Sequence, residues 1–202
     1  MQITLLRHGP TEANEQRLYC GQENPSLSAA GKDLIDSLAK EGIYPRSADG
    51  YFSSGLARAE ETLTMLYGMV DRHIIPELGE YHFGVFEMKT HDELCPLPAY
   101  QEWIMDNSGD VSCPGGESRN GFTDRVYAAY ATLLKITKEE EYQTVIAMTH
   151  GGVIATIMEM LFPNRYNSYE WQPQRGCGYT LVYDGAEIKG FTSIESRQIL
   201  NP

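Results

Sequence analysis

The sequence predicts one α/β domain built on a largely parallel β-sheet. Short apolar strands alternate with amphipathic helices along the 202 residues, and such alternation is typical of α/β proteins. Hydrophobic and charged residues make up 42% and 22% of the chain, close to the averages for globular proteins. The sequence contains no linker, internal repeat or low-complexity segment, so we expect residues 1–202 to form a single domain.

The first half of the chain predicts three strands and two helices in alternation. In chain order these are a strand at residues 2–6, a helix at 26–41, a strand at 51–53, a helix at 56–67 and a strand at 74–75. Gly9 and the proline after it break the chain behind the first strand. Ser28 is the expected N-cap of the first helix, Gly42 its stop, and Pro76 closes the third strand.

The second half predicts a long helix, a buried strand, an apolar helix and a hairpin. These lie at residues 117–138, 144–148, 152–162, and 179–182 with 188–191. Apolar side chains recur at i, i+4, i+8 and i+11 from Phe122, which is the spacing of one helix face. Asp184 and Gly185 form the expected hairpin turn.

Residues 79–116 lack a clean helical or strand period. They mix glycine, proline and aromatic residues, as expected for a long insertion that contains short helices. Structureless stretches of this length within a compact domain are often lids or binding loops. We therefore expect this insertion to be a lid or substrate segment.

Charge and hydropathy exclude several classes of partner. With 16 basic and 28 acidic residues the formal net charge is −12, which disfavours binding to nucleic acid or to an anionic membrane. No apolar run reaches the ~20 residues of a membrane span, and none near Met1 resembles a signal peptide. The four cysteines form no C-x-x-C pair. These features predict a reduced, cytoplasmic protein.

Three predicted strands run into polar residues. Arg7 and His8 follow the first strand, Arg58 comes shortly after the second, and His150 follows the strand at residues 144–148. Ligands of open α/β sheets bind outside the carboxyl ends of the strands, so we expect these four side chains to converge. Arginine forks match phosphate oxygens, so the pattern predicts a site for a phosphoryl group within an acidic protein.

The motifs around these residues resemble those of the histidine phosphatase superfamily, and they occur in the family's order. The matching segments are Arg7-His8-Gly9 with Thr11 and Asn14; Leu27-Ser28 with Gly31; Ser53 to Ala59 with Thr62; Glu77 to Glu80 with Phe83-Gly84 and Glu87; Pro114 to Ser118; and Thr149-His150-Gly151-Gly152. The resemblance implies a phosphoglycerate mutase-like fold, with three α/β/α layers around a mostly parallel mixed sheet.

The resemblance also implies roles for the matching residues. His8 is the nucleophile that becomes a phosphohistidine, and Glu80 is the acid and then the base. Arg7, Arg58 and His150 hold the phosphoryl oxygens, so that no metal or cofactor is required. Further phosphate or substrate contacts are expected from a second group: Asn14, Gly21, Gln22 and Gly151.

Other interpretations of single residues stay open at this point. An isolated Arg58 is more often a surface residue, and an isolated His150 is more often a buried histidine with its hydrogen bonds satisfied. Glu77 or Glu87 could replace Glu80 as the acid, although the spacing favours Glu80. The glycines in residues 175–178 mark a phosphate loop or, as we favour, a turn into the next strand.

Within the superfamily the chain most resembles the α-ribazole phosphatases. The resemblance is carried by residues 18–21, 75–88 and 174–177, although Phe86 stands where that group often has tryptophan. It implies a phosphatase that acts on a small phosphomonoester, α-ribazole 5′-phosphate of cobalamin assembly. The alternatives are a broad-specificity or sugar-phosphate phosphatase, a phosphoglycerate mutase and, least favoured, a non-catalytic binding module.

Two further expectations concern the aromatic residues and the oligomeric state. Five aromatic residues lie in the insertion, namely Tyr81, Phe83, Phe86, Tyr100 and Trp103. They stack on the base of the substrate or, alternatively, pack the insertion against the core. An edge strand of the sheet could pair with that of a second copy, so a homodimer is a possible oligomeric state.

Overall fold

The computed structural model describes residues 1–196 and confirms the predicted fold class. Within them lies a six-stranded sheet of order β3-β2-β4-β1-β5-β6. Its strands are β1 (Gln2–Arg7), β2 (Gly50–Ser53), β3 (His73–Ile74), β4 (Thr144–Thr149), β5 (Gly178–Asp184) and β6 (Glu187–Ile194). The first four in spatial order pair in parallel, whereas β5 and β6 form an antiparallel hairpin beside β1. The sheet is therefore mixed and mostly parallel.

Helices cover the two faces of this sheet. In the described residues they are α1 (Glu12–Glu15), α2 (Ala29–Glu41), α3 (Ala57–Tyr67), α4 (His91–Leu94), α5 (Pro98–Met105), α6 (Arg119–Glu139), α7 (Gly151–Leu161) and α8 (Ser168–Trp171). Short 3₁₀ helices lie at Pro76–Leu78 and Gly84–Phe86.

Alternation along the central strands divides the core in two. In β4, Val145 and Ala147 belong to a cluster with residues of α6 and α7, while Ile146 and Met148 pack with residues of α3. Successive side chains of a strand point to opposite faces, so each central strand supplies both clusters. The result is the three-layer arrangement that the resemblance implies.

The helix boundaries differ slightly from those predicted, for reasons of capping. Helix α2 begins at Ala29 rather than at residue 26, because the Ser28 side chain accepts a hydrogen bond from the backbone of Gly31. Helix α6 begins at Arg119 rather than at residue 117, because Ser118 caps it in the same way. The four-residue helices α1 and α8 were not predicted, because one turn is too short to show a period.

The insertion at residues 79–116 contributes to the main core. Tyr81, Phe86, Leu94 and Tyr100 are buried and belong to the same cluster as the apolar face of α6. This arrangement favours the packing role for three of the five aromatic residues. Phe83 and Trp103 are only partly buried against the cluster. A lid function for the insertion stays a prediction.

Two further features bear on the sequence-based expectations. All four cysteines are free thiols, and Cys113 and Cys177 are buried. In residues 1–196, no helix has the length and apolar character needed to cross a membrane. Strand β6 lies at one edge of the sheet, and the homodimer stays a prediction.

Candidate active site

Three of the predicted residues converge at the carboxyl ends of the central strands. His8 follows β1, His150 joins β4 to α7, and Arg58 lies in the first turn of α3. All three side chains are buried, with exposed fractions of 4%, 0% and 1%. The two imidazole rings meet edge to face with centroids 5.0 Å apart, and Nε of Arg58 lies 3.3 Å from Nε2 of His8. The predicted convergence is present.

The hydrogen bonds of His8 define its tautomer. Its Nδ1 lies 2.6 Å from the carbonyl oxygen of Gly9, which can only accept, so Nδ1 carries the proton. Its Nε2 accepts from Nε of Arg58 and therefore carries a lone pair. Gly9 is held in turn, because its N–H donates to Thr62 Oγ1 over 3.0 Å. The ring is thus fixed as a neutral imidazole whose Nε2 carries the lone pair.

Burial keeps both histidines neutral. Desolvation, followed by the charge of Arg58, lowers the pKa of His8 well below its usual value of 6.5. Desolvation, followed by the effects of His8 and Arg58, lowers the pKa of His150 in the same direction. Nucleophilic attack needs an unprotonated nitrogen, so this environment favours the reactive form of His8.

Arg58 is oriented by the loop that follows α1. Its Nη1 donates to the carbonyl of Glu23 over 2.8 Å, and its Nη2 donates to that of Gly21 over 2.7 Å. With Nε directed at His8, every nitrogen of the guanidinium makes a hydrogen bond. The conformation of this loop therefore decides where the cation sits.

Glu87 holds the same loop from the other side. Its carboxylate accepts from the N–H groups of Gly21, Gln22 and Phe83 over 2.8, 3.0 and 3.0 Å. The amides of Gly21 and Gln22, which the sequence suggested as phosphate contacts, are therefore engaged by Glu87. Gly21 also needs its missing side chain, because a Cβ there would lie 1.6 Å from the carbonyl oxygen of Tyr81.

His150 is positioned by a serine at the end of β2. The hydroxyl of Ser54 lies 2.9 Å from its Nε2, whereas its Nδ1 is buried and has no hydrogen-bond partner within residues 1–196. A buried ring nitrogen without a partner is costly, so a water molecule or a ligand atom is expected beside it. This nitrogen is available to an oxygen of a bound group.

Arg7 supplies a second cation next to the histidines. Its Nη1 donates to the carbonyl of Pro173 over 2.7 Å, and its Nε is buried without a partner in the described chain. Desolvation and then the charge of Arg175 lower its pKa to about 10, so it remains a cation at neutral pH. A Cβ on Gly151 would lie 2.7 Å from Cζ of Arg7, so the absence of a side chain there allows the close approach.

Glu80 places its carboxylate at the amino end of α7. Oε2 accepts from the N–H of Gly152 over 3.0 Å, and Oε1 accepts from the N–H of Tyr81 over 3.0 Å. Free N–H groups at a helix start favour negative charge there. The negative charge of Glu80 acts to raise the pKa of Arg7 and of Arg58, so its carboxylate belongs to the same site.

The two alternative acids are placed differently. Glu77 is exposed at the surface, and Glu87 has both oxygens committed to backbone N–H groups. The oxygens of Glu80 also accept from backbone N–H groups, but its carboxylate differs from the other two in lying at the start of α7, directly after His150. Its role as the acid stays a prediction.

Asn14 has a local structural role in this structure. Its side-chain oxygen accepts from the N–H of Thr11 over 3.1 Å and completes a capping box on α1. Phosphate contact by Asn14 stays a prediction, as it does for Gly21, Gln22 and Gly151. Residues 175 and 176 form a turn ahead of β5, with Gly176 at a φ of +77°, as the favoured interpretation predicts.

Several residues that support the site were missed as site residues by sequence reasoning. Ser54 and Thr62 lie in the same matching motif as Arg58, and this proximity in the sequence is the signal that could have identified them as site residues. Glu87 lies in another of the matching motifs, but the sequence suggests it only as an alternative to Glu80 as the acid. Arg125 lies within the long helix pattern, and no signal in the sequence connects it to the site.

In the part of the chain that the structure describes, no group of three or more His, Cys, Asp or Glu side chains could hold a metal ion.

Comparison with known proteins shows the family of this chain. The model of the histidine phosphatase superfamily (branch 1) matches residues 3–189. The adenosylcobalamin/alpha-ribazole phosphatase of Escherichia coli strain K12 is 31% identical over 167 residues, which cover 80% of this chain and 79% of that protein. The corresponding protein of Salmonella typhimurium is 30% identical and covers 88% of each chain.

Solved structures show the same likeness. The alpha-ribazole phosphatase of Shigella flexneri has a TM-score of 0.82 at 26% identity, over 98% of this chain and 97% of that chain. A phosphoglycerate mutase of Thermus thermophilus has a TM-score of 0.71 at 26% identity, over 97% and 99%. With its site and these relatives, the chain belongs to branch 1 of the histidine phosphatase superfamily and is a phosphoric monoester hydrolase.

Proposed function

We propose that this phosphatase works without a metal through a phosphohistidine on His8, and that its substrate is α-ribazole 5′-phosphate. The observation that carries the mechanism is the state of His8. Its Nδ1–H is tied to Gly9 and its Nε2 lone pair faces Arg58 in a buried site. The nucleophile is therefore neutral, oriented and next to a cation before substrate arrives.

In the first step, Nε2 of His8 attacks phosphorus while the bond to the ester oxygen breaks. Phosphoryl transfer depends mainly on positioning and on neutralising the charge of the oxygens. Arg58 and Arg7 supply that charge. Nε of Arg7 and Nδ1 of His150 have no hydrogen-bond partner within residues 1–196, and each could donate to a phosphoryl oxygen.

Glu80 completes both steps as the proton carrier. The negative charge of the bound phosphoryl group favours the protonated form of Glu80, which then donates its proton to the departing alkoxide, and the alcohol leaves. The resulting carboxylate then takes a proton from the water that attacks phosphorus, the bond from phosphorus to Nε2 breaks, and phosphate is released. His8 and Glu80 return to their starting states, so atoms and charge balance over the cycle.

Metal independence is supported by the cations already present. Two guanidinium groups and an imidazole N–H would neutralise the phosphoryl oxygens, a task that Mg²⁺ performs in kinases. Activity is therefore expected to survive prolonged treatment with EDTA. Loss of turnover in EDTA and its rescue by a single divalent ion would contradict this part of the proposal.

The substrate is suggested by the names of the relatives. Proteins called adenosylcobalamin/alpha-ribazole phosphatase match at about 30% identity, and the finer motifs resemble that group. The partly buried Phe83 and Trp103 provide aromatic surface within the insertion for a base.

The experiment compares α-ribazole 5′-phosphate, p-nitrophenyl phosphate and 3-phosphoglycerate in EDTA, with His8→Ala as the inactive control. We expect kcat/KM to favour the ribazole ester by about a hundredfold, or ~2.7 kcal/mol of transition-state binding. Alkaline quenching should trap a phosphorylated protein in the wild type and none in His8→Ala. Equal turnover of the three esters would remove the ribazole assignment, and a long-lived label from 3-phosphoglycerate would favour a mutase.

A further inference from the structure

One guanidinium group outside the phosphoryl site holds the backbone of the expected acid. Arg125, on α6, donates from Nη1 to the carbonyls of Glu77 and Gly79 over 2.7 and 2.9 Å. Its Nη2 donates to the carbonyl of Glu80 over 3.2 Å. Three carbonyls in four consecutive residues thus converge on one side chain.

Glu117 completes the arrangement. Its carboxylate accepts from Nη2 and Nε of Arg125 over 2.6 and 3.1 Å, a bidentate pair. The same carboxylate accepts from the N–H of His82 over 2.7 Å, and the Glu117 carbonyl accepts from the hydroxyl of Tyr81 over 2.8 Å. Residues on both sides of Glu80 are therefore attached to this pair.

The pair is partly buried. The side chains of Arg125 and Glu117 are only 23% and 18% exposed, and the ring of Phe122 lies 5.1 Å from Cζ of Arg125. The planar guanidinium group of an arginine holds its N–H donors in a fixed arrangement and can bind several acceptors at once, a geometry that a lysine cannot reproduce. The turn at residues 77–80 is therefore held by a rigid group and not by an exposed, mobile ion pair.

The carboxylate of Glu80 needs such support. Its own contacts are two backbone N–H groups, those of Tyr81 and Gly152. A proton donor has to stay within hydrogen-bond reach of the leaving oxygen, so a small shift of the backbone at residues 79–81 would withdraw it. His8 and Arg58 lie on other elements, and none of their side-chain hydrogen bonds within residues 1–196 involves residues 77–81.

We propose that Arg125 and Glu117 are positioning residues for proton transfer by Glu80, and that they leave the attack by His8 to the rest of the site. This inference rests on the proposed function, in which Glu80 protonates the leaving group. It follows that the two residues matter most for esters whose alcohol is a weak acid. Esters with a good leaving group need little help from an acid and report mainly on attack by His8.

The test measures kcat/KM for two aryl esters, 2,4-dinitrophenyl phosphate and phenyl phosphate, in Arg125→Gln and Glu117→Gln. We expect a loss of about 30-fold or more for phenyl phosphate and of about threefold or less for the dinitrophenyl ester, within the usual contribution of a general acid. The matched control is Arg119→Gln, six residues earlier on α6, whose cation pairs with Asp106 instead. Arg119→Gln should lower kcat/KM only slightly, and by the same factor for both esters.

A double variant separates positioning from a merely structural role. Adding Arg125→Gln to Glu80→Gln should cost little more for phenyl phosphate, because residues that act as a unit are not additive. Arg125→Lys, which retains the charge without the fork, should be intermediate and provides a folded alternative if the glutamine variant does not fold. Equal losses for both esters, or full additivity, would overturn the inference. Absence of leaving-group dependence in Glu80→Gln alone would instead contradict the proposed function.

Discussion

The hydroxyl of Ser54 lies 2.9 Å from Nε2 of His150 and is the hydrogen-bond partner of that ring in the structure. The contact joins the end of β2 to the start of α7, two elements that are 96 residues apart in the chain. A hydroxyl that donates to Nε2 leaves the proton on Nδ1, the nitrogen that has no partner within residues 1–196. With Ser54 as the donor, His150 is in the tautomer that can donate from Nδ1 to a phosphoryl oxygen, which is the arrangement that the proposed mechanism requires.

Replacement of this serine should weaken catalysis without unfolding the protein. In Ser54→Ala the imidazole is free to change tautomer, so we expect kcat to fall about tenfold to a hundredfold, less than the roughly 10²–10³-fold loss when a transition-state donor is removed outright. Ser53→Ala is the matched control, because Ser53 is equally buried but its hydroxyl accepts from the N–H of Gly55. Steady-state kinetics with p-nitrophenyl phosphate measure the difference. Equal activity of the two variants would exclude this role for Ser54.

The convergence of Arg7, His8, Arg58 and His150 could be predicted from the sequence because it depends on few facts. Parallel strands present their carboxyl ends at one edge, and a polar residue just after a buried strand has to lie there. The hydrophobic runs that identified β1 and β4 are short but bounded by clear breaks. The hydrogen bond from Nδ1 of His8 to the carbonyl of the next residue, Gly9, fixes the tautomer with an unprotonated Nε2. A nucleophilic histidine requires that tautomer.

The supporting contacts could not be predicted, because they join loops that are far apart in the sequence. Glu87 reaches Gly21 and Gln22 across more than sixty positions, and Arg125 reaches Glu77 across 48. Each contact depends on the conformation of an irregular segment, for which hydrophobic periodicity gives no information. A charged residue with such a partner has the same local sequence as one on a solvated surface.

Loss of the charge of Glu87 should affect both the stability of the loop and the placement of Arg58. In Glu87→Gln one acceptor oxygen becomes an NH₂ group, which faces backbone N–H donors. Hydrogen bonds to a charged group contribute ~1.5–3 kcal/mol each, so we expect a loss of about 2 kcal/mol in the free energy of unfolding. Arg58 loses its fixed carbonyl partners on the same loop, so KM for phosphomonoesters should rise several-fold.

Glu77→Gln is the control for this change. Glu77 is exposed and lies ten residues earlier, so its replacement removes the same charge without disturbing the loop. Urea unfolding and steady-state kinetics on both variants give the comparison. A Glu87→Gln protein with the unfolding midpoint and KM of Glu77→Gln would show that the backbone contacts of Glu87 do not hold the loop.

The two buried histidines should make stability depend on pH in a mildly acidic range. Burial, with the nearby cations, lowers the pKa of His8 and of His150 well below 6.5 in the folded protein, whereas an unfolded histidine titrates near 6.5. Below that pH the unfolded chain binds protons that the folded chain does not. The free energy of unfolding therefore falls as the pH is lowered through about 6.5, and above about 7 these groups no longer affect it.

Each histidine contributes a slope of up to about 1.4 kcal/mol per pH unit below its unfolded pKa, so the pair approaches twice that value. Urea unfolding at pH 7.5, 6.5 and 5.5 measures the slope while most carboxylates stay ionised. His8→Gln and His150→Gln should each remove about half of it, because glutamine does not titrate. If both variants retained the pH dependence of the wild type, the protons taken up on unfolding would belong to other groups. A slope that halves in each variant would establish that both imidazoles are neutral in the folded enzyme, which is the state that attack by Nε2 requires.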